Sequence, residues 1–150
     1  MLDWVIIQFY GHPNVNQRSV IWNQVSSFIA TIAQPIVMIG DFNQVLCIYE
    51  KHSKVGRPIQ GAKVLMNLIN DHGFVDLPSS GVRFTWSNNR RGPDVSSEKL
   101  DRAVATSGWM QQFRHVVLLA LPIQRSDHMD MNPVPGKYGK SHFEYKSPPS

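Results

Sequence analysis

Two polar side chains, those of Asp41 and Asn43, follow directly on the apolar run IVMIG at residues 36–40, which predicts a buried strand. In an extended chain, residues two positions apart face the same side, so this spacing would present a carboxylate and an amide to one ligand. The carboxylate can orient or deprotonate a water, while the neutral amide can hydrogen-bond an anionic substrate without adding charge repulsion. This pair suits a phosphate beside a divalent cation. Asp and Asn after a glycine are also common turn formers and helix caps, so a purely structural role stays open.

A second group of polar residues, SDH at 126–128, follows the apolar run VVLLALPI at 116–123. Adjacent residues of an extended chain point apart, so Asp127 is badly placed to orient the ring of His128. The orienting carboxylate is expected from another element, and Asp101 in KLDR at 99–102 is the best candidate. Asp127 is then available to bind a hard cation such as Mg²⁺. Each residue taken separately also has an ordinary structural role. Asp101 could be a solvated surface charge, and His128 could be a histidine in a turn.

A series of short strands and helices must position these residues. The apolar periodicity predicts strands at residues 4–10, 36–40, 74–77, 83–87, 99–105 and 116–123, and helices from Arg18 to about Ala33, at 62–72 and as a turn within 107–116. Loops are predicted at residues 51–61 and 88–98, and a turn at 79–81. Trp22 and Trp109 are expected in hydrophobic cores.

Composition favours one globular domain with a polyanionic partner. The chain has 150 residues, of which 42% are hydrophobic, and a formal net charge of +4. Lys and Arg that neutralise phosphates release counterions, so a basic chain suits nucleic acid. The single Cys47 cannot form an intrachain disulfide or build a thiolate metal site, and no apolar run reaches membrane-spanning length. A soluble, intracellular protein without a membrane partner is expected, with a poorly ordered, Pro-, Gly-, Lys- and Ser-rich tail at 132–150.

Four short motifs in order carry a resemblance to a known superfamily. GDFN at 40–43, FTW at 84–86, KLDR at 99–102 and SDH at 126–128 resemble the later part of the endonuclease/exonuclease/phosphatase superfamily. The fuller pattern, FYGHPN, GDFNQVL and a segment ending in FTWSN, is similar to the endonuclease domain of plant LINE-type non-LTR retrotransposons and of reverse-transcriptase-linked proteins. The resemblance covers roughly residues 4–128. It implies an α+β fold, a partial four-layer α/β/β/α sandwich over residues 1–131, with the site at one end.

The resemblance also implies a function and a set of roles. The reaction would be metal-dependent hydrolysis of a DNA phosphodiester, with Mg²⁺ or Mn²⁺ as the cofactor and DNA as the partner. Asp41 would orient or activate the attacking water, and Asn43 and Tyr10 would contact the scissile phosphate. Asp127 would ligate the metal, while His128, oriented by Asp101, would act as acid, base or phosphate stabiliser. The residues expected to contact the DNA backbone lie on the loop after the FTW motif: Asn88, Arg90 and Arg91.

The chain also departs from the superfamily pattern. Superfamily members carry an N-terminal portion with an Asn and the metal-binding Glu, whereas this chain begins at the following strand. After SDH they continue with Pro and an apolar strand, whereas this chain continues MDMNPVPGK. These departures predict a truncated, weakly active or inactive endonuclease that holds its metal weakly. The missing segment or a reverse-transcriptase region would be a further partner, and the location would be nuclear if the protein acts on DNA.

Two other functions remain open on the sequence. The chain is also compatible with a non-catalytic nucleic-acid binder that keeps the scaffold and the basic loops. A phosphatase of the same fold is the third reading, although no substrate loop of that kind is recognisable.

Overall fold

The structure is a computed structural model that describes residues 3–88, 90–121, 139–140 and 142–145. Within this part of the chain there are three α-helices: α1 (Val15–Ile29), α2 (Ala62–Asp71) and α3 (Ser107–Gln112). The strands are β1 (Val5–Tyr10), β2 (Ile36–Asp41), β3 (Lys51–Ser53), β4 (Phe74–Asp76), β5 (Ser79–Gly81), β6 (Trp86–Ser87), β7 (Ser96–Glu98), β8 (Asp101–Thr106), β9 (Leu118–Leu121), β10 (Gly139–Lys140) and β11 (His142–Tyr145). Short 3₁₀ turns lie at Ile48–Glu50 and Gly92–Asp94. The chain is thus a mixture of helices and sheets, compatible with the predicted α+β class.

The strands form three sheets. The first has the order β1-β2-β8-β4, with β1 parallel to β2 and the other neighbours antiparallel. The second has the order β10-β6-β7-β3 and is antiparallel, and the third has the order β11-β9-β5. Among the described strands, those of six residues, β1, β2 and β8, all belong to the first sheet, and Tyr10, Asp41 and Asp101 lie at their ends.

Helices cover one face of the first sheet. Helix α1 begins after Asn14, whose side chain accepts a hydrogen bond from the Asn16 N–H at 2.9 Å, as N-cap residues do. Past Ala30 the N–H groups of Thr31 and Ile32 bond three residues back, so the helix ends sooner than its apolar periodicity predicts. Trp22 on α1 is 1% exposed and stacks on Phe9 of β1 at a centroid distance of 4.4 Å. Burial of Trp22 in this core confirms the sequence prediction.

A second core lies on the opposite face of the sheet. Trp109 of α3, 5% exposed, packs there with Val37 of β2, Ala105 of β8 and Leu118 of β9. This position confirms the prediction for Trp109. Side chains alternate between the two faces along β2 and β8, because successive residues of a strand point to opposite sides. Strands β2 and β8 therefore contribute to both cores, whereas β1 packs on the first.

Three short polar strands were missed in the sequence. β3 and β7 lie inside predicted loops, and β5 is the predicted turn at 79–81. None has an apolar alternation of its own, and each is held by its partner strand. β3 pairs with β7, where Lys51 and Glu98 form an ion pair at 3.0 Å, and β5 lies alongside β9. Pairing of this kind depends on tertiary contacts that local pattern does not report.

A buried arginine ties three segments together. Arg102 of β8 is 1% exposed, and its guanidinium donates to both carboxylate oxygens of Glu50, at 3.1 and 2.6 Å, and to Asp76 Oδ2 at 3.3 Å. It also donates to the backbone oxygen of Gln44 at 3.3 Å. Burial by itself raises the pKa of Glu50, but the hydrogen bond and charge of Arg102, with the Leu46 N–H and Lys99, bring the pKa below its usual value. The segment that follows β2 is thereby fixed to β8.

No helix in the described part of the chain is long and apolar enough to cross a membrane.

The close approach of β1 and β2 provides a stability prediction. Gly40 has φ of +148°, and a Cβ at this position would lie 1.9 Å from the Phe9 backbone oxygen. We expect Gly40→Ala to lower the free energy of unfolding by about 1–3 kcal/mol, as overpacking typically does. Gly56→Ala is the matched control, because a Cβ there meets nothing within 4 Å. Urea denaturation measures both, and equal losses in the two variants would contradict this packing.

The Arg102 pair provides a pH-dependent prediction. Glu50→Gln removes the main partner of a buried cation, so the free energy of unfolding should fall by about 3 kcal/mol near neutral pH. The control is Glu98→Gln, which breaks the more exposed pair with Lys51 and should cost less than about 1 kcal/mol.

The sign of the pH dependence follows from the lowered pKa of Glu50. A carboxylate whose pKa is lowered in the folded state stabilises it above its unfolded pKa, and this contribution is lost as the pH falls through the folded pKa. The difference in stability between the unsubstituted protein and Glu50→Gln should therefore shrink in acid. A difference that stays constant through the acid range would show that the charge of Glu50 is not responsible.

Candidate active site

Three predicted site residues lie side by side at the ends of adjacent strands. In the first sheet Tyr10 of β1 is in register with Asp41 of β2, and Asp41 is in register with Asp101 of β8. Paired residues of neighbouring strands project to the same face, so the phenol and the two carboxylates form one row. Tyr10 is 66% exposed, whereas Asp101 is 7% exposed. The row therefore runs from the surface into a nearly buried carboxylate.

The backbones of Asp41 and Asp101 form the closer of the two types of antiparallel pair. The Phe42 N–H donates to the Leu100 oxygen at 2.8 Å, and antiparallel pairs alternate between hydrogen-bonded and non-hydrogen-bonded types. Asp41 and Asp101 are consequently a non-hydrogen-bonded pair, the type in which side chains approach most closely, with Cβ atoms about 4.5–5.5 Å apart. Two carboxylates on one face at this separation could both contact a cation.

Thr85 supports the position of Asp101. Its buried hydroxyl oxygen accepts hydrogen bonds from the N–H groups of Leu100 and Asp101, each at 3.0 Å. The Asp101 N–H is thus satisfied without a strand partner. Thr85 is the central residue of the FTW motif, and this role for it was not predicted. The signal in the sequence was a hydroxyl residue between two aromatic residues.

Asn43 reaches the site through a turn and not through an extended chain. Strand β2 ends at Asp41, and Asn43 has φ of +50°, a conformation that Asn tolerates better than most residues. The Asn43 N–H donates to Asp41 Oδ1 at 2.9 Å, and Asn43 Nδ2 donates to the Gly11 oxygen at 2.5 Å. The prediction that Asp41 and Asn43 face the same side of an extended chain was therefore wrong. The turn nevertheless holds the amide beside the carboxylate, with one of its two amide hydrogens committed to Gly11.

Gly11 permits this contact because its backbone approaches the turn closely. A Cβ on Gly11 would lie 2.3 Å from the Phe42 oxygen, so no larger residue fits without displacing the turn. The Gly11 N–H also donates to the backbone oxygen of Asp41 at 2.6 Å. The segment after β1 and the turn after β2 thus hold each other through backbone and amide groups.

Arg18 and Gln44 brace the same turn from the side of helix α1. Arg18 donates to the backbone oxygens of His12 at 2.9 Å and Pro13 at 2.7 Å, and to Gln44 Oε1 at 3.0 Å. Gln44 is 1% exposed, and its Nε2 donates to the oxygens of Val45 and Gln60. Burial lowers the pKa of Arg18, while the negative charges of Glu98 and Asp41 act in the opposite direction. The guanidinium stays charged and faces the same region as Asp41.

Two clefts adjoin the row of site residues. The first, of about 370 Å³, is lined by Asp101 and Thr85 together with Tyr49, Arg83 and Lys99. The second, of about 350 Å³, is lined by Asn43 together with basic residues that the sequence analysis did not single out: Arg18, Lys51 and Arg57. Each cleft thus combines one predicted site residue with positive charge, which suits an anionic ligand.

The predicted DNA contacts have a different environment. Neither cleft is lined by Asn88, Arg90 or Arg91. Arg90 and Arg91 are exposed, whereas the Asn88 side chain organises its own loop. Asn88 Oδ1 accepts from the Ser96 N–H at 3.0 Å, and its Nδ2 donates to the Asp94 oxygen at 2.8 Å. The side chain of Asn88 is therefore committed to the loop that carries the two arginines.

Two predicted residues, Asp127 and His128, lie outside the described residues. In the part of the chain that the structure describes, no three His, Cys, Asp or Glu side chains group so as to hold a metal ion. The hard oxygen donors described at the site are the carboxylates of Asp41 and Asp101, which have the chemistry that Mg²⁺ and Mn²⁺ prefer. These two residues fit a contribution to a cation site, although they do not complete one.

Comparison with known proteins adds no assignment: no protein-family model matches the chain, and no curated protein matches it in sequence.

Proposed function

We propose that the chain is a metal-dependent phosphodiester hydrolase, a weakly active DNA endonuclease of the retrotransposon type built on a four-layer α/β/β/α sandwich. The observation that carries this proposal is the register of Tyr10, Asp41 and Asp101 at three adjacent strand ends. These residues are distant in sequence; Asp41 and Asp101 were expected at the site from their places in the sequence, and Tyr10 from the resemblance. Their common face and the adjacent amide of Asn43 give the mixture of acid, phenol and amide that a phosphate site requires.

The described residues would act on a phosphodiester as follows. The Asp41 carboxylate accepts a proton from the attacking water, whose oxygen forms a new bond to phosphorus while the bond to the leaving oxygen breaks. The second amide hydrogen of Asn43 and the Tyr10 hydroxyl donate to the non-bridging phosphate oxygens, where negative charge develops. Asp101 orients the group that faces it, which the sequence predicts to be the imidazole of His128. The leaving oxygen then takes up a proton from that imidazole or from water.

A bound Mg²⁺ or Mn²⁺ would supply positive charge to the phosphate oxygens in the transition state. The carboxylates of Asp41 and Asp101 are the described groups that could contribute to holding it, with Asp127 as the ligand predicted from the sequence. Because the cross-strand pair places two negative charges together, a divalent cation would relieve their repulsion.

Charge in the second cleft supports DNA as the substrate. Arg18, Lys51 and Arg57 line it beside Asn43, Glu98 of the same lining pairs with Lys51, and the chain as a whole carries a net charge of +4. Basic groups along a groove that leads to the reacting phosphate both attract and orient a nucleic-acid backbone. Arg90 and Arg91 would add exposed contacts farther along the strand. The same proposal includes a reverse-transcriptase region as a partner of the chain and the nucleus as the place where it acts on DNA.

Nicking of supercoiled plasmid tests this function. In the presence of Mg²⁺ the protein should slowly convert supercoiled to open-circular DNA, and EDTA should stop the reaction. Asp41→Asn and Asp101→Asn should each lower the nicking rate about 10²-fold or more, because each removes a charge at the reacting phosphate. Asp71→Asn is the matched control, since it removes an exposed carboxylate at the end of α2.

Two outcomes would overturn the proposal. Nicking that Asp41→Asn leaves unchanged would place the chemistry elsewhere, and a folded protein that nicks nothing would remove the hydrolase assignment. Salt-sensitive, metal-independent DNA binding without cleavage would instead identify a non-catalytic binder. Hydrolysis of small phosphomonoesters or phospholipids without nicking would identify a phosphatase.

A further inference from the structure

An exposed aromatic ring stands at the first cleft, beside the candidate site. Tyr49 lines this cleft and is 76% exposed, as the second residue of the 3₁₀ turn Ile48–Glu50. The turn is anchored through Glu50, whose carboxylate binds the buried Arg102. The Leu46 N–H also donates to Glu50 Oε2 at 2.8 Å. A large ring that is exposed on an anchored turn is available to a ligand at little cost in ordering.

The guanidinium of Arg83 is held at the backbone of Tyr49. Arg83 Nη2 donates to the Tyr49 backbone oxygen at 2.9 Å, and the Arg83 guanidinium carbon lies 5.1 Å from the centroid of the Phe84 ring. The second of these contacts is a cation–π geometry. Arg83 therefore bridges the segment of Tyr49 and the segment that leads to Thr85, with its charge at the cleft.

The remaining lining makes the cleft suitable for an anion with a flat ring. The side chain of Lys99 contributes a second positive charge. The backbone N–H of Lys99 donates to the backbone oxygen of Glu50 at 2.8 Å. The Glu50 carboxylate is neutralised by Arg102, and Asp101 is 7% exposed, so little negative charge faces the opening. The volume of about 370 Å³ is at the lower end of the range for small-ligand sites, roughly 300–1,000 Å³.

From these contacts we propose that the first cleft binds one unpaired nucleotide of a single-stranded nucleic acid. Tyr49 stacks on the base, and Arg83 and Lys99 contact the flanking phosphates. Stacking requires a free base face, which a nucleotide inside a duplex does not offer, so the cleft selects single strands or locally opened duplexes. This inference rests on the proposed function, because it places the nucleotide next to Asp101 and therefore next to the phosphate that would be cleaved.

Binding measured without cleavage tests the inference. A fluorescently labelled oligothymidylate of about ten nucleotides is titrated with the protein in EDTA, and anisotropy gives the affinity. The single strand should bind more tightly than a duplex of the same length. Tyr49→Ala should weaken the binding about 5- to 150-fold, the effect expected for loss of one stacked base. Tyr49→Phe should retain the affinity, because the ring remains.

Controls separate stacking from charge and from folding. Ile48→Ala removes the neighbouring side chain, which is 73% exposed but does not line the cleft, and should leave the affinity unchanged. Arg83→Ala should reduce the slope of log affinity against log salt by about 0.7, the contribution of one phosphate on a single strand. Tyr49→Ala should leave that slope intact. Circular dichroism and thermal unfolding verify that each variant is folded.

The outcomes distinguish this inference from the hydrolase proposal. Equal binding of single strand and duplex, or equal affinity of Tyr49→Ala and Ile48→Ala, overturns the nucleotide site even if plasmid is nicked. Tyr49-dependent binding of the single strand in a protein that nicks nothing supports the nucleotide site and overturns the hydrolase alone. Binding in EDTA does not require the chemistry of Asp41, so the two results are independent.

Discussion

The register between β1, β2 and β8 is the constraint on which the candidate site depends. It places Tyr10, Asp41 and Asp101 on one face at one end of the sheet, although about ninety residues separate the first from the last. A slip of one residue in either pairing would turn a site residue to the opposite face, because side chains alternate along a strand. The apolar residues of these strands fill the cores on the two faces of the sheet, so packing in the interior sets which side chains lie together at the edge.

The groups behind the site convert this register into fixed side-chain positions. On β8 the neighbours Asp101 and Arg102 face opposite sides, and while Asp101 joins the row, Arg102 binds Glu50 and the segment after β2. Burying a guanidinium is favourable only when its donors are matched, and two oxygens of Glu50 supply most of that match. The same ion pair anchors the turn that carries Tyr49, so the row and the first cleft share one support.

Sequence pattern predicted the elements that have their own periodicity. The strands at 4–10, 36–40 and 99–105 and the helix at 62–72 follow the predicted ranges closely, because apolar alternation reports which face is buried. The polar strands β3, β5 and β7 were missed because their pairing partners, not their own residues, define them. Asp41, Asn43 and Asp101 were predicted as site residues. The left-handed turn at Asn43 and the contacts of Arg18 with this turn were not, because they arise from contacts between distant segments.

The central claim, that Tyr10, Asp41 and Asp101 form one phosphate-binding site, is tested most directly by NMR. Isotopically labelled protein is titrated, in the presence of Mg²⁺, with a short DNA whose phosphodiesters are replaced by slowly hydrolysed phosphorothioates. The account predicts that the backbone amide signals of Tyr10, Asp41 and Asp101 shift together, in proportion to one binding curve. Shifts confined to the solvent face of α2, with these three signals unmoved, would contradict it.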